Sequence, residues 1–123
     1  MDERRRYVRL DTRLKITYTV IKKEKDASSE SETRDISGGG IRIFLQEPLP
    51  LQTLLKLDIH LPEDPQPVHC VGKIVWVEEF SVLQDEKKEK DRFEAGILFT
   101  EINPKDRDRI IKYVILGYAA AKK

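Results

Sequence analysis

"TRDISGGGIRIFL", residues 33 to 45, reads as a short strand, a glycine-rich turn and a second strand with nothing between them. After the glycines, Ile41, Ile43 and Leu45 share one parity, while Arg42 and Phe44 share the other. Period two is the mark of a strand with one buried face. Asp35 and Ser37 precede the glycines, and both residue types favour turns because their side chains bond nearby backbone. Glycines permit positive φ and let another group approach the backbone closely. No Lys-Ser or Lys-Thr follows them, so the stretch is not a phosphate loop of the nucleoside-triphosphate kind. Taken alone, it is a tight hairpin turn.

The flanks continue the pattern. "LDTRLKITYTVI" (10–21) alternates through Leu14, Ile16, Tyr18 and Val20; "LLKLDIHL" (54–61) alternates through Leu55, Leu57, Ile59 and Leu61. "VHCVGKIVWVEEF" (68–80) is the longest β-like run. In it Val68, Cys70, Gly72, Ile74 and Trp76 take one parity and Val71, Val75 and Val77 the other. "RFEAGILFTEI" (92–102) is a further strand. Between them, "KKEKDASSESE" (22–32) has no apolar period and reads as an exposed connection. "EPLPLQ" and "PEDPQP" are proline breaks, and "LQDEKKEKD" (83–91) reads as a solvated hairpin tip.

The period then changes. Asn103 can cap a helix, and Pro104 suits its first turn. Ile110, Ile111, Val114, Ile115 and Tyr118 form an apolar stripe at helical spacing. Gly117 weakens the helix late. The expectation is a mainly β domain: a six-stranded antiparallel barrel with a C-terminal α-helix at about 103–120 lying over an open end or seam. Residues 10–121 form this domain, and residues 1–9 form a flexible arginine-rich arm.

Composition limits the function. The chain of 123 residues carries 23 Lys and Arg against 22 Asp and Glu, so any basic site must be local and duplex DNA is a poor partner. The single cysteine, Cys70, cannot form an intrachain disulfide, which suits reducing surroundings. No apolar run reaches the roughly 18–20 residues that span a bilayer. The first residues are too charged for a signal peptide. A cytoplasmic protein without membrane insertion is expected. His60 and His69 lie on different expected strands and make no convincing metal set with one cysteine. No nucleophile–base pair is suggested, so no catalytic residue, cofactor or metal is assigned. Trp76 reads as core or barrel surface rather than a stacking platform; Tyr7 reads equally as an arm anchor or a packing residue.

The local basic site is "RRRYVR", residues 4 to 9, with four arginines and no lysine. A guanidinium presents a planar fork that fits phosphate oxygens or the O6 and N7 edge of guanine, and it can stack on a base. The alternative is a solvated basic N-terminus. With the glycine turn the pattern becomes specific. Arg5-x-x-x-Arg9 followed by Asp35-x-Ser37-x-x-Gly40 resembles the PilZ domain family, whose motifs are R-x-x-x-R and [DN]-x-S-x-x-G. "FEAGILF", with Gly96 and Phe99, is similar to the family's late G-x-x-F strand.

The resemblance runs from about Arg4 to about Val114. It implies the six-stranded barrel and a ligand, the bacterial second messenger cyclic di-GMP. The ligand-binding set it implies, with the arginines beside the first motif, is Arg4, Arg5, Arg6, Arg9, Asp35, Ser37, Gly39 and Gly40. Arginine forks would meet phosphate and guanine, Asp35 would accept from guanine N1–H and N2–H, and Gly40 would leave room for the base. The expected function is a non-enzymatic receptor that orders its arm on binding and signals to an unidentified protein partner. Arg4 and Arg6 beside the motif suggest two ligand molecules per chain. Two alternatives stand: a PilZ-fold adaptor without nucleotide, and a barrel that binds RNA or single-stranded nucleic acid. The second requires exposed aromatics among basic residues, and the chain is only 7% aromatic.

Overall fold

The computed structural model of the chain describes residues 7–21, 28–80 and 92–121. Among the described residues, seven strand segments precede one helix: β1 (Arg9–Asp11), β2 (Lys15–Val20), β3 (Ser28–Ser37), β4 (Gly40–Leu45), β5 (Leu54–Ile59), β6 (Val68–Phe80), β7 (Arg92–Ile102) and α1 (Pro104–Ala121). All pairings are antiparallel. The sheet runs β3-β2-β5-β6-β7-β4 and closes where β4 returns to β3, so no barrel strand is left with a long free edge. This is the six-stranded barrel expected from the sequence.

The seventh segment arises because the first barrel strand is broken. β1 pairs with the end of β3 (Arg9↔Ser37 to Asp11↔Asp35), and β2 pairs with its beginning (Lys15↔Glu32 to Thr19↔Ser28). Three residues, 12–14, thus face two, 33 and 34, which is the count of a β-bulge. Thr33 holds the break together. Its hydroxyl donates to the Thr12 carbonyl at 2.7 Å and accepts from the Leu14 amide at 2.9 Å. β3 shifts register against β4 at the same place, between Thr33 and Asp35. Bulges bend strands and raise their twist, which lets a short sheet close.

The inward parities meet in one core. Ile16, Ile36, Ile43, Leu55, Leu57, Ile59, Val68 and Ile74 are fully buried, with Ile110 and Val114 of the helix. Each such side chain contributes about 1.5–3 kcal/mol when removed from water. Cys70 belongs to this core, and burial pushes its thiol up to about 12, so it is not a reactive thiolate at neutral pH.

Three expectations change. Ser28–Glu32 is strand, not connection. Its backbone pairs with β2 through Thr17, Tyr18 and Thr19 while its side chains stay largely exposed, so no apolar period marks it. Arg9 pairs with Ser37 of β3, so the sheet starts one residue before the boundary drawn between arm and domain; Arg4, Arg5 and Arg6 lie outside the described residues. The helical stripe is narrower than expected. Ile110 and Val114 are buried and Ile111 is half-buried, but Ile115 and Tyr118 are exposed. The hairpin tip at 83–91 lies outside the described residues.

The helix begins as the sequence suggests, with Asn103 Oδ1 accepting from the Lys105 amide at 2.8 Å. Gly117 has a use that propensity hides. A Cβ there would lie 2.6 Å from Leu10 Cδ2, so the bare glycine lets α1 sit against β1. Gly40 is tighter still, because its Cβ would overlap the Ile97 carbonyl oxygen, a backbone atom that cannot swing aside. Gly40→Ala should therefore destabilise the fold by about 1–3 kcal/mol. Gly117→Ala meets only a flexible leucine and gains helix propensity, so its change should stay within about 1 kcal/mol. Thermal melts of the two variants test this, and equal shifts would contradict the distinction.

Candidate functional site

Register assembles the site. Asp35 opposes Arg42, Arg42 opposes Gly96, and Gly96 opposes Trp76. Opposed residues in antiparallel strands project to the same face. These four therefore form one row across β3, β4, β7 and β6, on the face turned away from the core. The next row joins Arg9, Ser37, Gly40 and Leu98. The two sequence motifs, 26 positions apart at Arg9 and Asp35, thus become neighbours because β1 lies on β3.

Asp35 is the electrostatic centre. Its residue is only 1% exposed. A carboxylate this buried needs partners, and Arg42 supplies them: Nε and Nη2 each reach Asp35 Oδ2 at 2.5 Å. The hydrogen bond to Asp35 is the main reason the Arg42 guanidinium is held above its ordinary pKa. Arg9 Nη1 stands 3.7 Å from the same oxygen, with its side chain 42% exposed. Arg9 is therefore a loosely held cation at the rim, whereas Arg42 is a tightly held one beneath it.

The glycine turn is shaped by contact rather than by unusual torsions. Among the described residues no glycine has positive φ. Ser37 Oγ accepts from the Gly39 amide at 3.1 Å, and the Gly39 carbonyl accepts from the Phe99 amide at 2.9 Å. Tyr7 lies over the turn: Cβ atoms on Gly38 and Gly39 would come within 2.7 and 3.0 Å of its ring. Tyr7 is thus an anchor and a packing residue at once. Its hydroxyl accepts from Arg107 Nη1 at 3.0 Å, and the Arg107 guanidinium sits 5.6 Å from the ring centroid.

These groups line one cavity. Arg9, Asp35, Ser37, Gly39 and Gly40, all expected from the sequence, are joined by Tyr7, Arg42, Trp76 and Arg107, which were not. Arg42 had a signal: a two-residue turn at Gly38–Gly39 puts it opposite Asp35. Trp76 was hidden by a bulge. The β6–β7 register shifts between Ile74 and Trp76, which reverses the parity and turns the indole outward onto Gly96. Arg107 had no local signal, because only packing of α1 brings it near. The cavity encloses about 170 Å³, less than the roughly 300 Å³ at which clefts hold drug-sized ligands.

Arg42 and Asp35 depend on each other unequally. Arg42→Ala strands a buried carboxylate and should cost roughly 2–4 kcal/mol of stability, less than for a fully dry pair because Arg42 is partly exposed. Asp35→Asn leaves a neutral amide and an arginine that can reach water, so it should cost less. Denaturant titrations would check the order, and a costlier Asp35→Asn would reverse the assignment.

The chain was compared with known proteins. The family model of the PilZ domain matches residues 3–116. The Bacillus subtilis inhibitor of motility MotI/DgrA is 25% identical with a TM-score of 0.73, over 99% of this chain and 55% of that one. The PilZ domain of YcgR from Escherichia coli, solved with c-di-GMP, is 14% identical with a TM-score of 0.75, over 98% of this chain and 95% of that one. The K. pneumonia MrkH–c-di-GMP complex is 20% identical with a TM-score of 0.77, over 100% of this chain and 55% of that one. The chain thus spans about half the length of MotI and MrkH. A comparison with curated proteins produced no match. With a family model matched across residues 3–116, and with the barrel that those structures share, this chain belongs to the PilZ domain family.

Proposed function

We propose that this chain is a receptor for cyclic di-GMP that acts by binding, with no catalytic step of its own. The observation that carries the reading is the meeting of Arg9 with Asp35, Ser37 and Gly40 at one cavity, beside the further guanidinium of Arg42. Cyclic di-GMP offers two phosphates and two flat guanines. Arginine forks suit both, and the partly buried Trp76 ring offers a face to a base. The YcgR domain and MrkH, whose structures hold c-di-GMP, share the fold and lend support.

Arg42 occupies Asp35 Oδ2, so a guanine N–H donor shares that carboxylate or uses its other oxygen. Arg5, the first arginine of the R-x-x-x-R motif, completes the site from the segment before Tyr7, with Arg4 and Arg6 beside it. A change at this face on binding is then what a partner protein reads. The structure of the described residues favours this over RNA binding, since the aromatics at the cavity, Tyr7 and Trp76, do not form a stripe along a sheet face.

Isothermal titration with cyclic di-GMP, with GMP and a short RNA as controls, tests the reading. Saturable binding of the cyclic dinucleotide alone is expected, and its absence sinks the proposal. Arg5→Ala and Arg9→Ala should each weaken binding by about ten- to a hundredfold, the loss of about 1.5–3 kcal/mol per charged fork. Their melting curves should match the wild type. Two ligands per chain are proposed, with Arg4 offsetting the charge of a second pair of phosphates. Arg4→Leu should then lower the ratio from two to one, and a wild-type titration that saturates at one ligand refutes the pair.

A further inference from the structure

Arg107, like Arg42, is a cation of the cavity that neither sequence motif contains. It is the fourth residue of α1. Arg9, Arg13, Arg34, Arg42 and Arg109 each pair with a carboxylate. Arg107 has no such partner among the described residues. Its Nη1 donates to the Tyr7 hydroxyl at 3.0 Å, while its Nε is buried and has no acceptor. A buried donor left without an acceptor is costly, and such groups are few in folded proteins. The position adds to the cost, because a cation near a helix N-terminus faces the positive end of the helix dipole. Ion pairing and helix stability therefore do not account for an arginine here. The cavity it lines does, if an anion enters.

We propose that Arg107 is a ligand-binding residue, which donates to a phosphate oxygen of the cyclic dinucleotide seated against Arg9 and Arg42. This role rests on the receptor reading above. Nε is buried away from solvent, so a rotation of the side chain accompanies the contact. Nη1 can keep the Tyr7 hydroxyl while the rest of the fork turns to the ligand. The ligand is then gripped by the barrel and by α1 together, and Tyr7, lying on the Gly38–Gly39 turn, fixes the distance between them.

Titration with cyclic di-GMP at two ionic strengths tests the proposal on the wild type, Arg107→Ala, Arg107→Lys and Tyr7→Phe, each checked by thermal melting. Arg107→Ala should weaken binding about ten- to a hundredfold and flatten its salt dependence. Arg107→Lys keeps the charge without the fork and should recover part of the loss. Tyr7→Phe removes one hydrogen bond from Arg107 Nη1 but keeps the ring and the guanidinium, and should stay within about threefold of the wild type. Wild-type affinity in Arg107→Ala overturns the proposal. So does a Tyr7→Phe variant that loses as much, because Arg107 would then act only by holding Tyr7. Should Arg107→Ala fail to fold, Arg107→Lys is read in its place, and wild-type binding there overturns the forked contact. A wild-type chain that binds GMP and cyclic di-GMP alike, or neither, removes the receptor reading and this role with it.

Discussion

Ser37 faces Gly40 across a turn of two residues, Gly38 and Gly39, and that pairing closes β3 onto β4 and with it the barrel. It is a tight constraint. Gly40 lies so close to the Ile97 carbonyl that only a residue without a side chain fits. Once Ser37 is opposite Gly40, Asp35 must be opposite Arg42, and the β4–β7 register places Gly96 beside Arg42. The row that forms the floor of the cavity follows from this one turn. The turn therefore serves fold and site together, and a slip of one residue would send Asp35 and Arg42 to opposite faces.

Charge is distributed unevenly around that row. One buried carboxylate, Asp35, faces Arg42 closely, Arg9 at a distance, and shares a cavity with Arg107. The Arg42–Asp35 pair satisfies itself, which lets a carboxylate stay buried. What remains outward is positive. A nearly neutral chain thus presents a local cationic cavity without the global excess that draws a protein to duplex DNA.

The helix belongs to the site as much as to the core. Ile110 and Val114 anchor α1 in the barrel, Gly117 lets it lie against Leu10, and its first turns carry Arg107 to Tyr7. Tyr7 in turn covers the glycine turn. Tyr7 and the glycine turn are therefore tied to the last element of the fold.

Much of this was legible in the residues themselves. Alternation in residues 14–20, 41–45 and 54–61 marked strands, and Asn103-Pro104 marked the helix start, because local chemistry dictates both. Arg9, Asp35, Ser37 and Gly40 were picked out by their resemblance to the PilZ motifs, and the fold brings them to one cavity. Other features had no local signature. Ser28–Glu32 pairs through backbone alone, so its polar side chains concealed a strand. A single bulge at residues 74–76 reversed the parity that had placed Trp76 with the core. Arg107 reached the cavity only through helix packing, and the Gly117 contact with Leu10 joins residues at opposite ends of the chain. The sequence by itself determined the strands, the helix cap and the chemistry of the motif, because those depend on neighbours in the chain. Which side chains share the cavity was decided by bulges, register and helix docking, because those depend on contacts between residues that only the closed barrel brings together.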